Sequence, residues 1–343
     1  MLSSSFLAFF LTWGKLSKAP QYSTISFNFQ LGFVSVLCAS RTEIFNGRIG
    51  WLQHSSRNWP GRAVGELTID LDPHLGLGNH MFQYASLIGL AMSNRLVPVL
   101  MDGSFLADIF ELGEPPRIIH KDTSLPTRLT IQEDKCCVYE GMEIEMPSVN
   151  GRPWRGELKG YRQSWKYFFE NRETIKRHFA FKSYARDAAR KFLHRVLQNH
   201  GDKHSVVAVH VRRGDMLAGV NVQFGYEVPW SYFFKIAMEE FRRLYKDVVF
   251  VVCSIDMVWS KNNIKSTQND IVFVDGGNKP EVDLAIMANC NHTIVSVGTF
   301  GWWAGWLAGG HVIYYKTPAR PGSDLEKLFN YHDYYPRAWQ AME

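Results

Sequence analysis

The chain is poor in the residue patterns that mark several common classes of protein. Of its 343 residues five are cysteine, with no Cys-x-x-Cys spacing and no Cys/His array. That removes the ligands of a structural zinc site and of a dithiol redox motif. Cys136 and Cys137 are adjacent, and Cys253 and Cys290 lie in apolar segments that read as buried thiols. Such a set allows at most one or two disulfides, with Cys136 or Cys137 as the candidates. Charge of either sign is scarce: 38 basic against 33 acidic residues give a formal +5, with no long basic run. That argues against a nucleic-acid groove binder and suits a small anionic ligand. There is no internal repeat and no low-complexity tract. No apolar run reaches the ~18–20 residues needed to span a bilayer. The apolar stretches 5–13 and 27–39, with Lys15 and Lys18 between them, leave two readings open, a signal anchor or a cleaved leader.

What remains is a folded globular chain, 46% apolar and 21% charged, long enough for two domains. A polar stretch from Arg41 to about Gly65 reads as a stem. Glu66–Leu71 reads as a strand, Met81–Asn94 as a helix and Leu96–Met101 as a strand, a β-α-β start. The Pro- and Gly-containing segment 102–150 reads as loops and short elements. Glu170–Leu197 reads as one helix or two. Strands at 206–211, 248–254, 271–275, 293–297 and 312–315 then alternate with helices at 230–245, 281–289 and 300–307. Such alternation predicts a parallel doubly wound sheet.

The densest signal is His210-Val211-Arg212-Arg213-Gly214-Asp215, directly after the apolar run Ser205–Val209. A buried strand ends abruptly in charge, at the edge where open α/β sheets place their ligands. Two planar guanidiniums there fit a diphosphate; an ion pair at the surface is the bland alternative. Successive residues of a strand face opposite ways, so one arginine of the two reaches the ligand. His210 either donates to a phosphate or sugar oxygen or is held at the strand end. Gly76-Leu77-Gly78-Asn79 is a tight strand-to-helix turn, where glycine lets backbone approach a ligand and the following helix offers free N–H groups. It is not a dinucleotide fingerprint, because Met81 stands where the third glycine belongs. Asn79 either caps the helix or binds a ligand. Gly298-Thr299-Phe300-Gly301 repeats this logic at the last strand-to-helix turn, with Ser296 and Thr299 offering hydroxyls and Phe300 a ring; capping and core packing compete with that reading. Asp283 begins a helix, a position that the macrodipole alone favours for an acid. Asp70-Leu71-Asp72 has the Asp-x-Asp spacing of a metal-binding motif but precedes the glycine turn, and carries little weight. Asn291-His292-Thr293 is a glycosylation sequon that runs straight into a strand.

The hexapeptide from His210 resembles the phosphate motif of enzymes that use GDP-fucose. Gly76–Ala85 resembles the N-terminal signature of the galactoside α-1,2-fucosyltransferases, and Gly160–Phe168 resembles another block of that family. The stretch from Asp283 through Cys290–Ile294 to Gly298–Trp303 resembles its C-terminal signature. The four occur in the family's order and cover residues 66–318. The resemblance implies an α/β protein of two Rossmann-like doubly wound domains facing a cleft, the GT-B-like arrangement. The expected divisions are 1–65 for leader, anchor and stem, 66–200 for an acceptor-side domain, 201–318 for a GDP-fucose-binding domain and 319–343 for a C-terminal tail. It further implies an inverting, metal-independent transfer of fucose from GDP-fucose to the 2-hydroxyl of a galactose-terminated glycan, without a cofactor and without nucleic acid. A Golgi type II membrane location through the N-terminal segment would follow. Arg213 is expected on the diphosphate with Arg212 supporting the loop, and Arg213 and Asp215 in the catalytic roles. His210, Arg212, Gly78, Asn79, Asp283, Ser296, Thr299 and Phe300 are expected around the donor, Asp283 reading the guanine. Asp215 and Glu227 are the nearest carboxylates for a general base. His80 and Leu75 depart from the family's usual residues. Two alternatives stay open: a fucosyltransferase for another sugar position or a protein hydroxyl, and a silent nucleotide- or sugar-binding protein.

Overall fold

The computed structural model describes residues 65–343 apart from 70, 72–73, 102–103, 114–115, 120–126, 145–154 and 202–204. The expected anchor and stem, and both aspartates of the Asp-x-Asp sequence, lie outside the described residues. Two parallel sheets carry the fold, both inside one compact unit spanning Pro60–Glu343.

The first sheet contains β1 (Glu66–Ile69), β2 (Val97–Met101), β3 (Arg117–Ile119), β4 (Thr127–Gln132) and β5 (Arg155–Lys159), in the order β3-β2-β1-β5-β4. Between β1 and β2 runs α1 (Leu77–Ser93), buried along most of its length from Gly78 to Ala91. A helix apolar on every side needs cover on every side, and α1 has it from both sheets' elements. Gly89 is one contact point, since a Cβ there would strike the Tyr167 carbonyl. Glu66 and Arg155 are register partners across β1 and β5, and Arg155 Nη2 lies 2.8 Å from Glu66 Oε2. Two buried charges are thereby paired rather than left to pay full desolvation.

The helical stretch 170–197 divides into α2 (Arg172–His178) and α3 (Ser183–His200). The break falls where Phe181 forms a β-bridge with Phe110. α3, assigned by sequence to the first domain, packs against the helix Pro280–Ala288, which belongs with the second sheet.

The second sheet follows, as β6 (Ser205–Val211), α4 (Gly219–Phe224), α5 (Ser231–Leu244), β7 (Val248–Ser254), α6 (Met257–Asn263), β8 (Ile271–Phe273), α7 (Pro280–Ala288), β9 (His292–Val295), α8 (Thr299–Ala308), β10 (Val312–Tyr315) and β11 (Gln340–Met342). Its order is β8-β7-β6-β9-β10-β11. Numbered within the sheet this is 3-2-1-4-5-6, the Rossmann order, whose switch point lies between β6 and β9. Val207, Val209 and Val211 pack with Phe233, Phe234 and Phe241 of α5. Val206 and Ala208 pack on the other face with Trp302 and Trp303 of α8. The helices following β6 and β9 therefore leave on opposite faces and open a crevice between the two strand ends.

Residues 319–343 do more than trail as a tail. They supply β11, which pairs with β10, and they bury Tyr334 and Tyr335. Asn291, the sequon asparagine, accepts the Val206 N–H through Oδ1 at 2.9 Å, which commits its amide to the start of β6.

Candidate active site

The pleat of β6 sorts the charged residues at its end. Even-numbered positions face α8 and odd-numbered positions face α5 and α6. His210 continues the even row and is buried against Gly301, where any Cβ would collide with the imidazole. Burial, and then the charge of Arg212, push its pKa down to about 3. It is a neutral ring in the wall, with Nδ1 3.3 Å from Ser296 Oγ. Of its two sequence readings, the packed one fits this environment.

Arg212 is the next even residue. Its backbone N–H donates to Ser296 Oγ at 2.9 Å, and Nη2 lies 2.6 Å from Asp215 Oδ2. The side chain runs over Gly298, at the N-terminus of α8; a Cβ on Gly298 would lie 3.4 Å from Arg212 Cδ. Gly298 has φ +86°, a conformation that excludes most other residues. The Arg212 side chain is 28% exposed and that of Asp215 50%. Arg213 turns the other way. It is 7% exposed, its guanidinium carbon lies 4.0 Å from the centre of the Trp259 ring, and Nη1 donates to the Pro229 carbonyl at 3.3 Å. Burial lowers its pKa, and the Asp256 charge partly opposes that. The resemblance gives the diphosphate to Arg213 and loop support to Arg212. The environments are the reverse: Arg212 stands in the crevice and Arg213 is packed among aromatic rings.

The glycine turn of the first sheet meets the last turn of the second. A Cβ on Gly78 would lie 2.6 Å from Thr299 Oγ1 and 2.7 Å from Phe300 N. Gly78 is thus required for one helix end to touch another, and not for a positive φ. Thr299 Oγ1 donates to Asn79 Oδ1 at 2.9 Å, and Gln163 Nε2 donates to the same oxygen at 3.1 Å. With Oδ1 accepting twice, Asn79 has its NH2 left to offer. Trp303 Nε1 donates to Gly78 O at 3.0 Å. Behind this junction Phe82 packs on Trp302 at 4.5 Å, and Phe168 stacks on Trp303 at 5.5 Å. Aromatic pairs of this kind contribute about 0.5–1.5 kcal/mol each beyond their buried area, and these hold the N-termini of α1 and α8 together. Two positive dipole ends and the Arg212 guanidinium then share one crevice, which makes it a site for an anion.

The other expected residues divide between wall and opening. Ser296 is fully buried, and its hydroxyl is committed to Arg212 and His210. Thr299 and Phe300 are half-buried at the mouth. Asp283 lies in the first turn of α7 and accepts Asn278 Nδ2 at 2.9 Å; burial raises its pKa despite that bond.

Two residues with no individual assignment in the sequence also belong here. Gln163 lies in the block Gly160–Phe168, whose pattern singles out no one residue. Tyr226 follows the left-handed Gly225 and pairs with Ala319. Burial first, then Cys136, Cys137 and Tyr161, push its hydroxyl pKa up, while Arg212 pulls it down. These neighbours set Tyr226 between the carboxyl ends of the two sheets. Its only sequence signal was the preceding glycine. Among the described residues no group of three or more His, Cys, Asp or Glu could hold a metal ion. Nor is any helix among them long and apolar enough to cross a membrane.

The sequence model of glycosyl transferase family 11 matches residues 33–343. The galactoside alpha-(1,2)-fucosyltransferase 2 of Rattus norvegicus is 35% identical over 282 residues, which cover 80% of this chain and 76% of the relative. The galactoside alpha-(1,2)-fucosyltransferase 1 of Homo sapiens is 34% identical over 263 residues, covering 75% and 70%. Among solved structures, NodZ alpha-1,6-fucosyltransferase soaked with GDP-fucose aligns with a TM-score of 0.52 at 15% identity, over 74% of this chain and 96% of NodZ. That likeness speaks to the fold: two Rossmann-like sheets in the GT-B-like arrangement.

Proposed function

We infer the reaction from family membership: the chain belongs to glycosyl transferase family 11. It is a fucosyltransferase that moves L-fucose from GDP-fucose to the 2-hydroxyl of a terminal β-galactoside, with inversion to an α-1,2 link. The observation that carries this is identity of about one third, over three quarters of the chain, to relatives named for that reaction.

The chemistry needs a stabilised leaving group. As the bond to fucose breaks, the sugar becomes oxocarbenium-like and negative charge gathers on the GDP diphosphate. Donors fixed in advance around that charge lower the barrier more than donors that must reorganise. In this reading Arg212 is the diphosphate ligand, with the Asn79 amide and the N-termini of α1 and α8 beside it. Its support is the exposure of Arg212 in the crevice and the burial of Arg213. Asp215 holds Arg212 extended until the donor displaces it, so a base role for Asp215 is replaced by a positioning role. Asp283 recognises the guanine, and Tyr226 lines the acceptor side. A Golgi location with a lumenal catalytic region belongs to the same reading, supported by the two apolar segments near the N-terminus; replacing them with a cleavable signal peptide should release the protein into the secreted medium.

The test is turnover of GDP-fucose against a panel of galactosides and other sugars, followed by linkage analysis of the product. An α-1,2-linked fucosyl-galactoside is expected, and activity should persist in EDTA. A product at another position, or activity lost to EDTA and restored by manganese, would refute the assignment or its metal-free mechanism respectively.

A further inference from the structure

We propose that Cys136 and Cys137 form a reversible vicinal disulfide, and that the reduced pair is the state in which the donor site is ordered. The second half rests on the donor reading above.

The two sulfur atoms lie 2.7 Å apart. The backbone on both sides is pinned. Gln163 N donates to Cys136 O at 2.9 Å, and Asn330 N donates to Cys137 O at 3.1 Å. Ahead of the pair, Asp134 N donates to Glu140 Oε1 at 2.6 Å. The backbone of the pair is therefore fixed from two distant parts of the fold. Cys137 is 2% exposed, while Cys136 is only partly covered. A soluble oxidant can reach Cys136 but not its neighbour.

The step balances with glutathione disulfide as oxidant. The Cys136 thiolate attacks one glutathione sulfur, a mixed disulfide forms and one glutathione thiolate leaves. Cys137 gives up its proton and attacks the Cys136 sulfur. The mixed bond breaks, the protein disulfide forms and the second glutathione leaves. Two protein thiols are oxidised and one glutathione disulfide is reduced to two thiols. Adjacent Cα atoms sit about 3.8 Å apart across a trans peptide, against a usual minimum of about 4.4 Å for disulfides. The ring is accordingly strained and easily reduced, which fits an interconverting pair better than a permanent staple.

The pair is wired to the donor site. Cys137 Sγ donates to Gln163 Oε1 at 3.4 Å, and Gln163 Nε2 donates to Asn79 Oδ1, which also receives Thr299 Oγ1. Gln163 is 8% exposed, so no bulk water replaces a lost partner. A disulfide sulfur carries no hydrogen. Oxidation therefore strips Gln163 Oε1 of its donor, frees the amide to turn and loosens Asn79.

The full-length protein would be equilibrated over a range of glutathione to glutathione disulfide ratios, alkylated and mapped by mass spectrometry. GDP affinity would be measured by calorimetry on the same samples. Expected is a 136–137 peptide lacking two hydrogens, its reversal by dithiothreitol, and a GDP Kd about fivefold higher when oxidised, the value of one hydrogen bond of about 1 kcal/mol. Cys136→Ser should keep the reduced protein's affinity at every ratio. A pair that stays reduced in excess glutathione disulfide would overturn the proposal, as would a mapped disulfide with unchanged Kd. A reduced protein that fails to bind GDP would overturn the donor reading and the coupling together, while the mapped disulfide would still establish the redox pair.

Discussion

Arg212 and Arg213 leave β6 on opposite faces, so the same functional group meets two different tasks. Arg212 keeps its guanidinium in a crevice beside two helix N-termini, paired with a half-exposed Asp215. Arg213 is spent on packing, its face on Trp259 and one nitrogen on the Pro229 carbonyl. Arg212→Ala should lower kcat by about 10²–10³, the usual cost of removing one fixed donor from developing charge. Its melting temperature should barely move, because an exposed ion pair contributes about 0–1 kcal/mol. Arg213→Lys should do the opposite. It keeps the charge but loses the planar face that stacks on Trp259, at a cost of up to about 2 kcal/mol in stability. Steady-state kinetics and a melting curve on both variants decide the matter. A large fall in kcat for Arg213→Lys with an unchanged melt would return the diphosphate to Arg213. The sequence carried the arginine pair and the alternation rule, but not the phase of that alternation. The phase depends on which face of β6 receives α8, a long-range property.

At the scale of elements, the junction between α1 and α8 is where the site is built. Gly78→Ala places a methyl against the backbone of Thr299 and Phe300, where nothing flexible can yield. Overpacking of this kind costs about 1–3 kcal/mol, or several degrees in melting temperature for a unit of this size. Because Asn79 moves with the turn, kcat should fall too. An unchanged melt and unchanged kcat would show that the two helix ends are not pressed together. Some elements were plain in the sequence for identifiable reasons. β6, β7 and β10 are runs of β-branched and aromatic residues covered on both faces. Others were hidden. β5 is Arg-Gly-Glu-Leu-Lys, polar because its Arg155 pairs with Glu66 inside the sheet. β11 is Gln-Ala-Met, a strand only because β10 offers it an edge. α6 is a seven-residue helix started by the Asp256 cap, whose carboxylate accepts Trp259 N at 3.0 Å, too short to show a period. The glycine turns were legible as tight turns, but not the neighbour that one of them meets. Closeness of backbone was expected toward a ligand, and at Gly78 it also lets the other helix approach.

Across the whole molecule, buried titratable groups set opposing pH dependences. Burial lowers His210 to about 3, and His178 and His292 to about 4, from an ordinary 6.5. Below 6.5 the unfolded chain takes up protons that these rings refuse, so their contribution is complete above 6.5 and is lost as pH falls toward 4. Glu133 acts in the other direction. Burial raises it to about 8 from 4.5, outweighing the backbone bonds from Arg162 and Tyr161. Those two N–H groups both reach Oε2, while Oε1 is buried with no partner among the described residues, a place where a neutral carboxyl costs less than a carboxylate. The native state then holds a proton that the unfolded state has released, so this contribution is full below 4.5 and is lost as pH rises through 8. Between 4.5 and 6.5 three histidine protons oppose one carboxyl proton, and stability rises with pH. Above 6.5 the histidines fall silent and Glu133 alone tilts the curve downward. The melting temperature should therefore peak near pH 6.5. Glu133→Gln should flatten the arm from 6.5 to 8 and leave the acid arm in place, since a glutamine carbonyl still accepts from Tyr161 and Arg162 without titrating. If the arm above 6.5 keeps its slope in Glu133→Gln, the carboxyl is already ionised in the folded protein and the decline has another source.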